Sequence, residues 1–272
     1  MYLAVDIGAT KVLLAVFTNS GKVVEQRKFA TRETYEGLIA DFASEFTHLD
    51  HTDFERAVIA VPGKLDRARG VGIAFGNRDW RNVPIGPDIE KIIGCPLRIE
   101  NDAKLAALSE AILIIDEFKK VLYVTISTGI SSGLIVNGII NPELEDSESG
   151  QMWFQHNGKL VQWEDFASGR AIVAKYGKRA SEINDPKIWK AIAEDIALGF
   201  RELIAIIQPE VIVIGGGVGT HYEKYKGQLS AELKKYEVPI APNPPIRKAQ
   251  RPEEAVIYGC FHLAKEAHDK TA

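Results

Sequence analysis

Cysteine is nearly missing from this sequence: Cys95 and Cys260 are the only two, far apart and in no CxxC pair. That scarcity argues against a disulfide framework or a cysteine-built zinc site, and fits two buried thiols in a reducing compartment. Long apolar stretches are lacking too. Runs such as Ala111–Ile115 and Val211–Ile214 fall far short of the roughly 20 residues that span a bilayer. No basic-then-apolar leader precedes Met1-Tyr2-Leu3-Ala4-Val5-Asp6, so a soluble, cytoplasmic protein is expected. Nor is charge of one sign in excess. The net charge is −4, with acidic and basic residues interspersed, which speaks against a nucleic-acid or membrane partner. Neither the GxxxxGK[ST] phosphate loop nor the full G-x-G-x-x-G dinucleotide spacing occurs.

What is present is an ordinary globular composition, 46% apolar and 26% charged over 272 residues, enough for one large or two mid-sized cores. Strand and helix patterns alternate throughout, predicting an α/β fold. Tyr2–Asp6, Val12–Phe17 and Val23–Phe29 read as strands, the last two joined by the turn Asn19-Ser20-Gly21. Tyr35–Leu49 reads as a helix on the spacing of Leu38, Ile39, Phe42 and Phe46. Short strands follow at Ala57–Val61 and Leu97–Glu100, then a helix with Leu105, Leu108, Ile112 and Ile115 on one face. Lys120–Ser127 and Gly133–Val136 form a second strand pair, with Asn137-Gly138 as a tight turn after it. Ile188–Gln208 is a long amphipathic helix, Val211–Ile214 an all-apolar strand, and a last helix runs from about Pro252 to Lys270.

Asp6-Ile7-Gly8-Ala9-Thr10-Lys11 before one strand is echoed by Ser127-Thr128-Gly129-Ile130-Ser131-Ser132-Gly133 before another, about 120 residues on. The echo suggests two related lobes. Such turns leave backbone N–H groups open to phosphate oxygens, with Thr10 adding a hydroxyl and Lys11 a positive charge. A plain solvated turn explains either equally. Gly215-Gly216-Gly217 ends the apolar strand Val211–Ile214, where ligands of open α/β sheets bind, or it is a strand-to-helix loop. Asn101 and Asp102 stand at a strand end and a helix start, able to bind and deprotonate a hydroxyl or merely to cap the helix. Glu148, Gln151 and Glu164 could serve a polyhydroxylated ligand, or be surface polar residues. The histidines, His156 and His221 among them, show no metal-binding spacing and read as surface or packing residues.

In this order the pieces resemble the ROK family (repressors, open reading frames and kinases) of the actin/hexokinase superfamily. Asp6–Lys11 is similar to its D-x-G-G-T-K hairpin, with Ala9 for the second glycine. Asn101-Asp102-Ala103 resembles E-N-D-A, and Thr128-Gly129 sits in a match to G-T-G-I-G-x-G. Glu148-Ser149-Gly150-Gln151 resembles E-x-G-H, and Glu164–Gly169 resembles L-E-x-x-x-S-G. Val213–Gly217 resembles an I-G-G-G segment, while Ala60–Gly63 and Asn77 with Trp80 match weaker stretches near the sugar site.

The resemblance implies a two-lobed, actin-like ATPase (ribonuclease H-like) α/β fold with a central cleft. The lobes would be 1–117 and 118–272, with a last helix of about 256–272 packing back on the first. It implies phosphoryl transfer from ATP with Mg²⁺ to a hexose, first of all the 6-hydroxyl of glucose. N-acetylglucosamine or N-acetylmannosamine is the alternative sugar, and a non-catalytic sugar sensor the alternative class. Asp102 is implied as catalytic base, and Gly63, Asn77, Asn101, Asp102, Glu148, Gln151 and Glu164 as sugar contacts. Gly8, Ala9, Thr10, Lys11, Thr128, Gly129, Gly215, Gly216 and Gly217 are implied as nucleotide and phosphate contacts. Asp6 would hold magnesium through water, and the protein would be a homodimer. The first hairpin begins at residue 6 of the sequence, so the helix-turn-helix of the family's repressors, and with it a DNA-binding role, is not expected.

The departures are local. The family's zinc motif C-x-C-G-x-x-G-C is absent between Met152 and Glu164, and Gln151 replaces its zinc-binding histidine, so no structural zinc is expected. Ser127, Ser131 and Ser132 replace glycines, and Lys104 replaces a small or polar residue.

Overall fold

The computed structural model describes residues 1–76 and 78–269, and the chain divides into two compact units. The first comprises Met1–Ser109 and the chain from Glu253 onward, the second Glu110–Pro252.

In the first unit β1 (Tyr2–Ile7), β2 (Lys11–Phe17) and β3 (Val23–Ala30) form an antiparallel meander. β1 and β2 are apolar and almost wholly buried, while β3 alternates half-buried with exposed residues, as a strand covered on one face does. α1 (Tyr35–Phe46) opens at Thr34, whose Oγ1 accepts from Gly37 N at 3.2 Å. It ends at Phe46, before the Leu49 that the apolar spacing suggested. Thr47 Oγ1 donates to Ser44 O at 2.7 Å, and His48 Nδ1 lies 2.8 Å from the same oxygen. Such side-chain bonds to the backbone compete with helix propagation.

β4 (Arg56–Val61) runs parallel to β1. A small sheet, β5 (Lys64–Asp66), β6 (Val71–Ala74) and β7 (Arg81–Val83), precedes α2 (Ile85–Ile93). β8 (Leu97–Asn101) then pairs in parallel with β4 and leads straight into α3 (Asp102–Ile112). The main sheet has the order β3-β2-β1-β4-β8. The C-terminal helix (Ala255–Asp269) returns to this unit, with Phe261 stacked on Phe17 at 5.0 Å and Cys260 Sγ 3.9 Å from Val5 O. Gly259 makes that approach possible, since a Cβ there would lie 2.0 Å from Leu105 O.

The second unit repeats the topology. β9 (Lys120–Ile126), β10 (Ile130–Val136) and β11 (Ile139–Ile140) form the meander. Asn137 and Gly138 both take positive φ, as a two-residue hairpin turn requires. A separate hairpin, β12 (Trp153–His156) and β13 (Lys159–Gln162), leads into α4 (Trp163–Ala167) and α5 (Gly169–Tyr176). α6 (Pro186–Ile207) is capped by Asp185, whose Oδ1 accepts from Lys187 N at 2.8 Å, and stops where Gln208 turns left-handed. β14 (Val211–Gly215), α7 (Gly216–Gly219), α8 (Lys226–Lys234) and β15 (Ile246–Lys248) complete it. The sheet order β11-β10-β9-β14-β15 again adds two parallel strands to a meander.

The Ser127–Gly133 stretch is shorter as a turn than the sequence suggested. Ser127 N donates to Gly129 O at 2.9 Å, closing the turn in three residues, and pairing resumes at Ile130↔Ile126. Ser131 and Ser132 are therefore strand residues. Among the described residues no helix is long and apolar enough to cross a membrane.

Candidate active site

Three parallel neighbours, β1, β4 and β8, end on the same side of the first unit's sheet, with Asp6 opposite Ala60 and Val61 opposite Asn101. Carboxyl ends of parallel strands are where open α/β sheets place ligands. Beyond β1 the chain turns through Gly8-Ala9-Thr10, closed by Gly8 N donating to Lys11 O at 3.0 Å. Ala9, Thr10 and Lys11 are exposed at the tip. The turn is braced from outside: Thr31 Oγ1 donates to Gly8 O at 2.8 Å and an Arg78 nitrogen to Ala9 O at 2.6 Å.

Beyond β4, Gly63 takes a φ of +106°, and a Cβ there would lie 2.1 Å from Ala74 O. Only glycine fits. Its carbonyl accepts from Asn101 Nδ2 at 3.2 Å, so two of the residues selected from sequence are hydrogen-bonded to each other. Asn101 Oδ1 accepts from Ala103 N at 3.0 Å and Lys104 N at 3.3 Å. Asn101 therefore caps α3, and Asp102 shares the first of these donors. Asp102 Oδ1 accepts from Ala103 N at 2.8 Å.

Asp102 keeps some solvent contact, yet protein surrounds it closely enough that burial pushes its carboxyl up, against the pull of the Ala103 N–H and the Lys104 charge. Lys104, one of the departures noted in the sequence, is itself buried two residues further along α3. The Asp6 carboxyl is pushed up to about 7, first by burial and then by the Asp102 charge, with Lys11 opposing. A buried carboxylate pushed up further by the charge of a second is a place where a divalent cation would be favourable. Asn77 lies outside the described residues.

The second unit gathers a separate group. Glu164, second residue of α4, accepts from Gln151 Nε2 at 3.1 Å through Oε1 and from Ile130 N at 3.3 Å through Oε2. Arg170 lies 3.5 Å from Oε1. Gly129 and Gly150 close around the same carboxylate, since Cβ atoms there would stand 2.7 and 3.1 Å from Oε2. Glu148 is exposed, and its backbone carbonyl accepts from Gln151 N at 3.1 Å.

The Thr128-Gly129 turn meets the start of α5, where Gly169 N donates to Ser127 O at 2.7 Å. Gly215 pairs with Thr125, and Gly216, with a φ of +77°, would carry a Cβ only 2.5 Å from Ile126 O. Gly215 lies against Tyr123, while nothing comes within 4 Å of a Cβ built on Gly217. The first two glycines thus serve backbone packing, and Gly217 alone leaves open space. Two further hydroxyls, Ser131 Oγ and Ser149 Oγ, are buried with no hydrogen-bond partner.

Among the described residues no group of three or more histidine, cysteine, aspartate or glutamate side chains could hold a metal, and both cysteines are buried in the first unit. The loop where the resemblance would place zinc is instead the β12–β13 hairpin, and Gln151 spends its amide on Glu164. These residues do not fit zinc. Arg67, Arg78, Arg170 and Asp195 act in or around these sites and were not selected from sequence. Arg67, Arg78 and Asp195 find partners 33, 69 and 39 positions away, which no local motif reports, whereas Arg170 lies close in sequence to Glu164.

A meander extended by two parallel strands, built twice, with small-residue hairpins after the first strand of each, is the actin-like ATPase fold. The ROK family model matches residues 2–267, and the chain belongs to the ROK family. It is 23% identical over 318 aligned positions to a glucokinase of Streptomyces coelicolor, covering 97% of each protein. It is 26% identical to an N-acetyl-D-glucosamine kinase of Citrobacter koseri, covering 97% of this chain and 99% of that one. The crystal structure of a ROK hexokinase from Thermus thermophilus superposes with a TM-score of 0.82 at 26% identity, covering 100% and 99% of the two chains.

Proposed function

We propose that the protein is an ATP-dependent sugar kinase acting on a hexose hydroxyl, first of all the 6-hydroxyl of glucose. The observation that carries this reading is Asp102: a carboxylate at a strand's carboxyl end, pushed up by burial yet in some contact with solvent, beside an asparagine that helps cap the helix. A sugar hydroxyl is a weak nucleophile at neutral pH, so a carboxylate within reach accelerates its attack by accepting the proton.

In the proposed reaction the hydroxyl oxygen forms a bond to the γ-phosphorus of ATP as the bond to the ADP oxygen breaks. The hydroxyl proton passes to Asp102. Gly63, Asn77, Asn101, Glu148, Gln151 and Glu164 are assigned to the sugar. Gly8, Ala9, Thr10 and Lys11 in the first unit, and Thr128 and Gly129 in the second, are assigned to the phosphates. Gly215, Gly216 and Gly217 are assigned to the nucleoside end, with the open space at Gly217 the most direct support. Asp6 is assigned to magnesium through water, and the way the Asp102 charge pushes its carboxyl up fits that task. When bound with ATP, magnesium offsets charge on the phosphate oxygens. No zinc takes part in the proposal, and the enzyme is taken to work as a cytoplasmic homodimer.

N-acetylglucosamine or N-acetylmannosamine is the second reading for the sugar, favoured by the similarity to an N-acetyl-D-glucosamine kinase. ADP release followed over glucose, mannose, fructose, glucosamine and the two N-acetylhexosamines tests both. Turnover with glucose well above the others supports the first reading, and preference for an acetylated sugar supports the second. Sugar binding without ADP release would make the protein a sensor and overturn the assignment as an enzyme.

A further inference from the structure

Gln151 and Glu164 stand at the two open ends of one hairpin. Gln151 is followed through Met152 by β12, and β13 leads through Trp163 to Glu164. The strands close with Trp153 opposite Gln162, and Trp163 N donates to Met152 O at 2.8 Å across the mouth. At the far end, Asn157 and Gly158 form a two-residue turn with φ of 50° and 76°. Whatever fixes this hairpin fixes the spacing of the two side chains at its mouth.

Strand alternation puts Phe154 and His156 on the inner face, and both meet Phe166, two residues past Glu164 on α4. Phe154 meets that ring edge-on at 5.9 Å, whereas His156 stacks on it at 4.1 Å and 9°. His156 Nε2 lies 3.0 Å from Asp195 Oδ1 on α6. Asp195 is only 8% exposed, and its other oxygen accepts from Lys175 Nζ on α5 at 3.1 Å. The Asp195 backbone carbonyl accepts from Trp163 Nε1 at 3.3 Å. One turn further along α6, Gly199 makes room for that indole, because a Cβ there would lie 2.1 Å from its ring. One buried aspartate thus grips the hairpin by a side-chain oxygen and the start of α4 by its carbonyl.

We propose that His156 is a positioning residue: clipped to Asp195, it holds the β12–β13 hairpin so that Gln151 and Glu164 stay in the arrangement that binds sugar. The idea rests on the assignment of those two residues to the sugar. Burying a carboxylate is costly unless it is paired and hydrogen-bonded. Removing the imidazole leaves Asp195 only the half-exposed Lys175 as a charged partner, so the hairpin face and α4 loosen together.

Three full-length variants test this. His156→Phe keeps a ring for Phe166 but deletes the hydrogen bond; His156→Gln keeps a donor of similar reach; His156→Asn carries the same amide too short to reach. In the sugar-free protein, amide exchange over residues 149–166 should quicken about tenfold in the Phe and Asn variants and return towards the parent in the Gln variant. KM for the sugar should rise about tenfold in the Phe and Asn variants with kcat within about twofold, and recover with Gln. Unchanged exchange in peptides covering Gln151 and Glu164 overturns the proposal, as does a faster hairpin with an unchanged KM. If the parent phosphorylates no sugar, the kinase assignment falls by itself while the exchange comparison still decides the clip. Should the Phe variant not fold, the Gln–Asn pair carries the same comparison.

Discussion

Arg67 holds the wholly buried carboxylate of Glu100 through Nε at 2.9 and 3.0 Å and a terminal nitrogen at 2.7 Å. Glu100 is the residue of β8 just before Asn101 and Asp102, and its Oε1 also accepts from Asn101 N at 2.8 Å. The ion pair therefore sets the backbone from which the proposed base projects. Arg98, 3.6 Å away and more exposed, adds to the same field.

Because Glu100 is buried, Arg67→Ala leaves its charge only the more distant and more exposed Arg98 and should cost about 3–5 kcal/mol in urea unfolding. Replacing both partners, Arg67→Met with Glu100→Leu, should recover most of that loss. A double variant no more stable than Arg67→Ala would mean that the pair is not what holds β8.

Asp6 gives a pH prediction with a definite sign. Its folded carboxyl is pushed up to about 7, while in the unfolded chain it returns to the ordinary range near 4. The folded state thus binds the proton more tightly, and this contribution to stability is complete below about pH 4 and lost as pH rises through about 7. In magnesium-free buffer the parent's melting temperature should fall between pH 5 and pH 8 by more than that of Asp6→Asn. Parallel curves for the two proteins would sink the idea. Asp6→Asn should also lower turnover at saturating ATP if the residue holds magnesium.

What could be read from the sequence was whatever is local. Apolar runs ended by small residues gave β1, β2, β9 and β14 to within a residue or two, and the two hairpins announced the duplicated sheet. The Glu100-Asn101-Asp102 triplet was visible at a strand end, but sequence could not divide the work between its members. In the structure Asn101 is buried and bonds to Ala103 N, Lys104 N and the Gly63 carbonyl, while Asp102 bonds to Ala103 N and keeps some solvent contact. The β5–β7 sheet was missed because its strands are three or four residues long and carry no clear alternation. α2 was missed because Pro84 precedes it without a side-chain cap and Pro87 lies in its first turn, which reads as a breaker. The sequence reads His156 as a surface or packing residue; its stack on Phe166 makes it a packing one, and its partner Asp195 is 39 positions away, where no spacing rule reaches.

Asp102→Asn keeps the size of the side chain and removes its basicity. Turnover should drop by about 10²–10⁴ while sugar affinity changes little, measured by ADP release and by calorimetry with the sugar. Near-parental turnover would remove Asp102 from the chemistry. Loss of sugar binding with normal turnover per bound sugar would make it a binding residue only.

Gln151 offers the last test, because two roles for that position predict opposite things. If the loop from Met152 to Glu164 is held by its hairpin and its side-chain bonds rather than by a metal, exhaustive dialysis against a chelator should leave the melting temperature unchanged. Structural zinc sites, in contrast, unfold when stripped. Gln151 then matters only as a donor to Glu164 and to the sugar. Gln151→Ala should raise the sugar KM by about tenfold or more, the worth of a hydrogen bond to a charged group, with kcat nearly kept. Chelator sensitivity in the parent, or zinc bound at one ion per chain, would contradict the metal-free hairpin. An unchanged KM in Gln151→Ala would instead leave the hairpin intact and remove Gln151 from the sugar site.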